Sequence, residues 1–166
     1  NGSGAIFTDG ANGTEKADNF GGTTLIRNVV AENNRGGGDY GGAFFLSGYS
    51  KDKIIIENSK IVNNKARKGG GLAVQSYRDK ANPASLIIRD SIIANNTSTS
   101  QGGGLWTDVK GGVTIEDSTF SGNRIENSQK NGIGGAIVLN YKTQAKSRIT
   151  NSRFVDNYAG TQAGNI

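Results

Sequence analysis

Apolar positions in this chain come in short runs that return at long, nearly regular intervals. One nine-residue pattern appears five times without a gap: Ile, any residue, Asn or Asp, usually Ser, any residue, an apolar residue, two more, then Asn. The copies begin at Ile26, Ile56, Ile88, Ile115 and Ile149, so their starts are 30, 32, 27 and 34 residues apart. A constant core with variable spacers at such a period is the mark of stacked repeats. A second block precedes each copy: Ser3-Gly4-Ala5-Ile6-Phe7, Gly41-Gly42-Ala43-Phe44-Phe45, Gly70-Gly71-Leu72-Ala73-Val74, Gly103-Gly104-Leu105-Trp106-Thr107 and Gly134-Gly135-Ala136-Ile137-Val138. The apolar runs hold four to six β-formers between Gly and Asn turns, and no helical period appears.

Equivalent strands return in the same direction once per repeat, which hairpins do not do. Stacking them gives parallel strands about 4.8 Å apart. The expected fold is therefore all-β: a parallel β-helix of about five coils over residues 1–166, right-handed because parallel crossovers almost always are. Alternation then assigns faces. The block Ile and its later apolar position (Ala31, Ile61, Ile93, Phe120, Phe154) are expected to point into the lumen. In the glycine-led strand, the first and third positions after the glycines look inward: Ala5/Phe7, Ala43/Phe45, Leu72/Val74, Leu105/Thr107 and Ala136/Val138. The second position then faces out and holds Ile6, Phe44, Ala73, Trp106 and Ile137. An outward line of Ile6, Phe44, Trp106 and Ile137 is a candidate interface, unless spacer loops fold over it.

The terminal Asn of the block forms a further column, Asn34, Asn64, Asn96, Asn123 and Asn157, expected to hydrogen-bond from coil to coil. The residue after the block Ile runs Arg27, Glu57, Arg89, Glu116, Thr150, so stacked neighbours are expected to pair opposite charges. The column Asn28, Asn58, Asp90, Asp117, Asn151 reads as a turn position repeated in every coil. The glycine pairs read as a tight turn or bulge, since they lack the strand-to-helix setting of a phosphate loop.

At these two blocks the chain resembles the passenger repeats of the chlamydial polymorphic membrane proteins, which carry paired Gly-Gly-Ala-Ile and Phe-x-x-Asn motifs. Here they are Gly134-Gly135-Ala136-Ile137, Phe120-Ser121-Gly122-Asn123 and Phe154-Val155-Asp156-Asn157. Relaxed versions are Gly41-Gly42-Ala43-Phe44 and Ile61-Val62-Asn63-Asn64. The resemblance implies adhesion at a cell surface and carries over no catalytic residue.

Composition narrows the chemistry. Only 34% of residues are hydrophobic, which suits a narrow lumen better than a globular core. With no His and no Cys, the common general base, zinc ligands and disulfides are missing. No catalytic, metal-binding or cofactor-binding constellation stands out, because a site should break the repeat at one place and gather acids with bases there. No apolar run is long enough to span a membrane. The net charge is +5, and basic residues gather at Lys65, Arg67, Lys68 and at Lys142, Lys146, Arg148. Either cluster could meet anionic glycans; without interleaved aromatics neither has a nucleic-acid pattern.

The expected function is thus a non-enzymatic, extracellular structural or adhesion segment at the cell surface, facing a host or neighbouring cell. Two alternatives remain. One is a filament or sheath subunit packing on its own copies end to end or laterally, with the tail Ala163-Gly164-Asn165-Ile166 in register to continue onto Ser3-Gly4-Ala5-Ile6 of another copy. The other is a polysaccharide-binding or polysaccharide-degrading module. The absence of an evident polar cap leads to the expectation that the chain is a segment of a longer protein or a stacking unit.

Overall fold

The structure is a computed structural model and describes residues 4–10, 21–76, 83–126, 132–140 and 145–160. It is all-β, with no helix among the described residues. The first rung holds β1 (Ile6–Asp9), β2 (Thr23–Arg27) and β3 (Val30–Glu32). The second holds β4 (Phe44–Gly48), β5 (Lys53–Glu57), β6 (Lys60–Val62) and β7 (Lys65–Lys68). The third is β8 (Leu72–Ser76), β9 (Ser85–Arg89), β10 (Ile92–Ala94) and β11 (Thr97–Gln101). The fourth is β12 (Leu105–Thr107), β13 (Val113–Glu116), β14 (Thr119–Ser121) and β15 (Arg124–Ile125). The last is β16 (Ile137–Leu139), β17 (Arg148–Thr150) and β18 (Arg153–Val155).

Every pairing between these strands is parallel and joins one rung to the next, which makes the chain a β-solenoid. Three faces are five-stranded sheets: β1-β4-β8-β12-β16, β2-β5-β9-β13-β17 and β3-β6-β10-β14-β18. The fourth face is β7-β11-β15, extended by bridges from Arg35 to Lys65 and from Arg124 to Tyr158. Five rungs place about four turns between the first and the last.

The block columns lie where the periodicity puts them. Ile26, Ile56, Ile88, Ile115 and Ile149 are in register, and the first four members of that column are sealed or nearly so. Ala31, Ile61, Ile93, Phe120 and Phe154 stack beside them, with the Phe120 and Phe154 rings 5.1 Å apart and 9° from parallel. The turn after the block Ile is left-handed in all five copies, with φ of 58°, 44°, 50°, 48° and 49° at Asn28, Asn58, Asp90, Asp117 and Asn151. Asn and Asp tolerate that region at low cost, which accounts for the residue choice.

The glycine-led strand sits one residue away from expectation. Phe44 pairs with Leu72, Leu72 with Leu105, and Leu105 with Ile137. The alignment that matters starts at the first glycine of each run, Gly41, Gly69, Gly102 and Gly134, all left-handed at φ 62–66°. Gly71 and Gly104 therefore occupy the places of Ala43 and Ala136. A slip of one residue exchanges the faces of a strand. Phe44 and Ile137 enter the lumen with Leu72 and Leu105, while Phe45 and Val138 turn outward with Ala73 and Trp106.

On the outside of the second sheet, the charge column forms where the sequence expects it. The Glu57 carboxylate accepts from Arg27 below and from Arg89 above, the latter at 2.6 Å to Nε. Arg89 is turned toward Glu57, and among the described residues it makes no ion pair with its other register partner, Glu116. The Arg89 and Arg27 hydrogen bonds hold the Glu57 carboxyl below its usual value of 4.5. A group whose carboxyl is depressed on folding stabilises the fold above its unfolded value and loses that contribution as pH falls through the folded one. Acid titration of unfolding is accordingly expected to show a loss below about pH 4.5 that Glu57→Gln removes; an unchanged acid limb in the variant would assign the loss elsewhere.

Candidate binding surface

The asparagine column needs to be placed first, because it is the most repeated polar feature. Asn64 Oδ1 accepts from both the backbone N–H and the Nδ2 of Asn34, each at 2.9 Å. The same pair of bonds joins Asn64 to Asn96, Asn96 to Asn123 and Asn123 to Asn157 at 2.9–3.1 Å. Each later amide also donates back to a lumen-side carbonyl, as Asn96 does to Ile61 at 2.9 Å and Asn123 to Ile93 at 2.8 Å. The side chains of Asn64, Asn96 and Asn123 are sealed from water. Their hydrogen-bonding capacity is consumed internally, so the column is a structural ladder, as the sequence implies. The left-handed residue at that corner is its predecessor, Asn33, Asn63, Asn95, Gly122 or Asp156.

A serine ladder, not foreseen from the sequence, runs beside the turn. The hydroxyls of Ser59, Ser91, Ser118 and Ser152 each accept a backbone N–H of the preceding rung at 3.2 Å. Each donates to the carbonyl two residues upstream at 2.7–2.9 Å. The recurrent Ser of the block was its visible signal.

The sequence-predicted interface does not assemble as a surface line. Ile6 is 36% exposed at the first rung, whereas Phe44 and Ile137 are 1% and 4% exposed inside the lumen. Only Trp106 lies on the outer side as expected, and it is covered, at 3%. The correction follows from the register: three of the four belong to the inward column.

The outer face of the first sheet nevertheless carries an aromatic plate. Its column is Phe7, Phe45, Ala73, Trp106 and Val138. Tyr40 joins it from the adjoining corner, where it bridges to Lys68. The Phe7 and Phe45 rings are 5.3 Å apart, Phe45 and Tyr40 5.2 Å, and Tyr40 and Trp106 5.1 Å. Tyr40 and Trp106 lean together across the third rung, where Ala73, fully covered, leaves room for them. The Lys68 ammonium lies 5.2 Å from both ring centres, a cation over two π faces. Trp106 Nε1 donates to Gln101 Oε1 at 3.0 Å, so the indole is polar-satisfied and held in place. Phe7 remains 54% exposed, and Phe45 and Tyr40 are half-buried.

A polar margin flanks the plate. Gln75 Nε2 donates to Ser47 Oγ at 3.1 Å, and Asp108 accepts the Ser76 N–H at 3.1 Å. Burial pushes the Asp108 carboxyl up, against the pull of that N–H and of Lys110 and Lys68. Of the spacer loops expected to cover this face, residues 11–20, 77–82 and 141–144 lie outside the described residues. Of the spacer at 47–52, Ser47 and Gly48 belong to β4, and the Tyr49 hydroxyl beyond them donates to Asp9 at 2.9 Å. No group of three or more acidic, Cys or His side chains suited to a metal ion occurs among the described residues. The tail at 163–166, expected to begin another repeat, is likewise outside them.

Fold and surface together define a parallel β-solenoid repeat protein whose repeated polar residues are structural and whose outer aromatic face departs from the repeat. No protein-family model, curated protein or solved structure matches the chain.

Proposed function

We propose that the chain is a non-enzymatic, extracellular β-solenoid that serves as an adhesion or structural segment of a surface protein, meeting its partner through the outer face of the first sheet. The observation that carries this reading is the aromatic plate of Phe7, Phe45, Tyr40 and Trp106, the place among the described residues where outward positions collect rings. The recurrent Ile, apolar, Ser, turn and Asn columns of the block are occupied in lumen packing, turns and ladders, which accounts for their repetition without a partner. Rings with a polar margin are what a binding surface needs, since aromatic anchors dominate interface energetics. The likeness to chlamydial passenger repeats in the two short motifs supports the same reading.

The test uses beads coated with the chain and panels of intact cells. Wild-type beads adhere, and a Phe7→Ser, Tyr40→Ser, Phe45→Ser triple variant adheres at least tenfold less while keeping its β circular dichroism, since a lost anchor costs about 2 kcal/mol or more. Equal adhesion by folded variant and wild type, or none by the wild type, sinks the reading. If particle mass instead rises with concentration in sedimentation, lateral or end packing of copies replaces adhesion as the function of this face.

A further inference from the structure

A second surface carries a more specific chemistry, independent of the aromatic plate. On the fourth face, Arg35, Lys65, Thr97, Arg124 and Tyr158 occupy one register column. Their neighbours Ala66, Ser98, Ile125 and Ala159 are buried, so the column itself faces outward. Successive members are one rung apart, about 4.8 Å, and the column runs along the solenoid axis. It therefore presents three cations in a straight line, with an exposed tyrosine at its end.

One carboxylate already lies in this line. Glu126 belongs to the fourth rung, two residues beyond Arg124, yet its carboxylate pairs with Lys65 of the second. The side chain crosses the third rung at the point where Thr97, and not a cation, stands in the column. The Lys65 hydrogen bond holds the Glu126 carboxyl below its usual value, and Arg124 and Arg35 pull in the same direction. By contrast, Arg67 is engaged by Asp39 at 2.9 Å, and among the described residues Arg35 and Arg124 have no ion pair of their own. The Glu126 side chain is 43% exposed, so water and ligands reach the pair.

We infer that this column is a track for a linear, carboxylate-bearing polysaccharide laid along the axis, and that Glu126 is an internal stand-in for a ligand carboxylate, displaced on binding. The rung spacing is close to the length of one pyranose ring. Lys65 and Arg124, two rungs or about 10 Å apart, would then meet carboxylates on alternate sugars, which a two-fold chain turns to the same side. Tyr158 offers a flat ring for the face of a terminal sugar. A nucleic acid fits less well: the column has one aromatic residue, whereas single strands are gripped by several stacked on bases. Surface charge pairs of this kind weaken with salt, so binding is expected to be strongest at low ionic strength.

The test measures affinity for oligogalacturonate of about ten sugars by titration calorimetry at low salt. Wild type binds, and Lys65→Ala with Arg124→Ala weakens binding at least tenfold. Glu126→Gln tightens it several-fold, because the competing carboxylate is gone. Phe7→Ser leaves it unchanged, which separates this site from the aromatic plate whatever the fate of that reading. The same oligosaccharide fully methyl-esterified does not bind. The inference is overturned if neither wild type nor Glu126→Gln binds, if Glu126→Gln binds no tighter than wild type, if the ester binds equally, or if single-stranded DNA of the same charge binds as tightly. Unchanged unfolding midpoints for the variants confirm that each outcome concerns binding.

Discussion

Replacing Asn96 with alanine is expected to cost about 4–6 kcal/mol of stability. The side chain makes four hydrogen bonds: it accepts from the Asn64 N–H and Nδ2 and donates to Ile61 O and Asn123 Oδ1. Alanine leaves the Asn64 N–H, one amide hydrogen of Asn64 and the Ile61 carbonyl without these partners in a sealed position. Each such orphan costs about 1–3 kcal/mol, and the vacated volume adds to it. Aspartate is no rescue, since it supplies the acceptor but loses both donors and buries a charge. The edge of the ladder provides the comparison. Asn34 is only half-buried and bonds to one neighbour, so Asn34→Ala should cost about 1 kcal/mol. Urea unfolding of both variants decides the matter. A loss below about 2 kcal/mol at Asn96, or equal losses at both sites, would mean that water fills the gap and that the ladder is not what ties rung to rung.

Gly103→Ala is expected to cost about 3 kcal/mol or more for a different reason. A methyl there would overlap the Gly135 carbonyl oxygen and lie 2.5 Å from the Arg124 nitrogen. Both are backbone atoms with no rotamer to change. Relief requires the rungs to separate, which stretches Gly103 N–H to Gly134 O at 3.1 Å and Gly104 N–H to Gly135 O at 3.2 Å. Gly42 and Gly70 stand in the same column and meet the next rung's carbonyl in the same way. Gly122 is the control. It fills the left-handed corner that other rungs give to Asn33, Asn63, Asn95 or Asp156. A side chain at Gly122 would meet Asn95 Oδ1, the end of a movable side chain. Gly122→Asn should thus stay within about 1 kcal/mol of wild type. Thermal melts separate the cases: tolerance of Gly103→Ala would show that the corner has slack that the backbone contacts do not suggest.

These two columns explain what could be read from the sequence. The block carries side chains at nearly every position, Gly122 excepted, so its Ile, apolar, turn and Asn columns could be assigned by alternation alone. The glycine-led strand could not, because a glycine carries no side chain to say which way it points. Runs of two and of three glycines align at their first member, and counting from the last one shifted three rungs by a residue. The corrective signal was size: Phe44, Leu72, Leu105 and Ile137 form a uniformly bulky column, as a lumen demands. The aromatic plate was hidden by the same slip and by Tyr40, which lies before the glycines and outside either block. The cation column follows the block Asn directly in every copy, at Arg35, Lys65, Thr97, Arg124 and Tyr158, so its alignment was legible, but it lies one residue beyond the nine-residue pattern. The Lys65 cluster was visible as a local run of charge, but only the fold defines that Glu126 reaches across the third rung to Lys65.

The asparagine ladder has a consequence for how such a chain can change over generations. Each rung offers its neighbour the same two acceptor contacts and one back-donation, whatever lies in the spacers. A rung is therefore interchangeable with any other at that joint. Loss of residues 65–96 would leave Asn64 beneath Asn123, facing the same chemistry that Asn96 faces now. Length becomes a heritable variable that duplication or deletion can adjust one whole repeat at a time, while the outer surfaces diversify without renegotiating the interior.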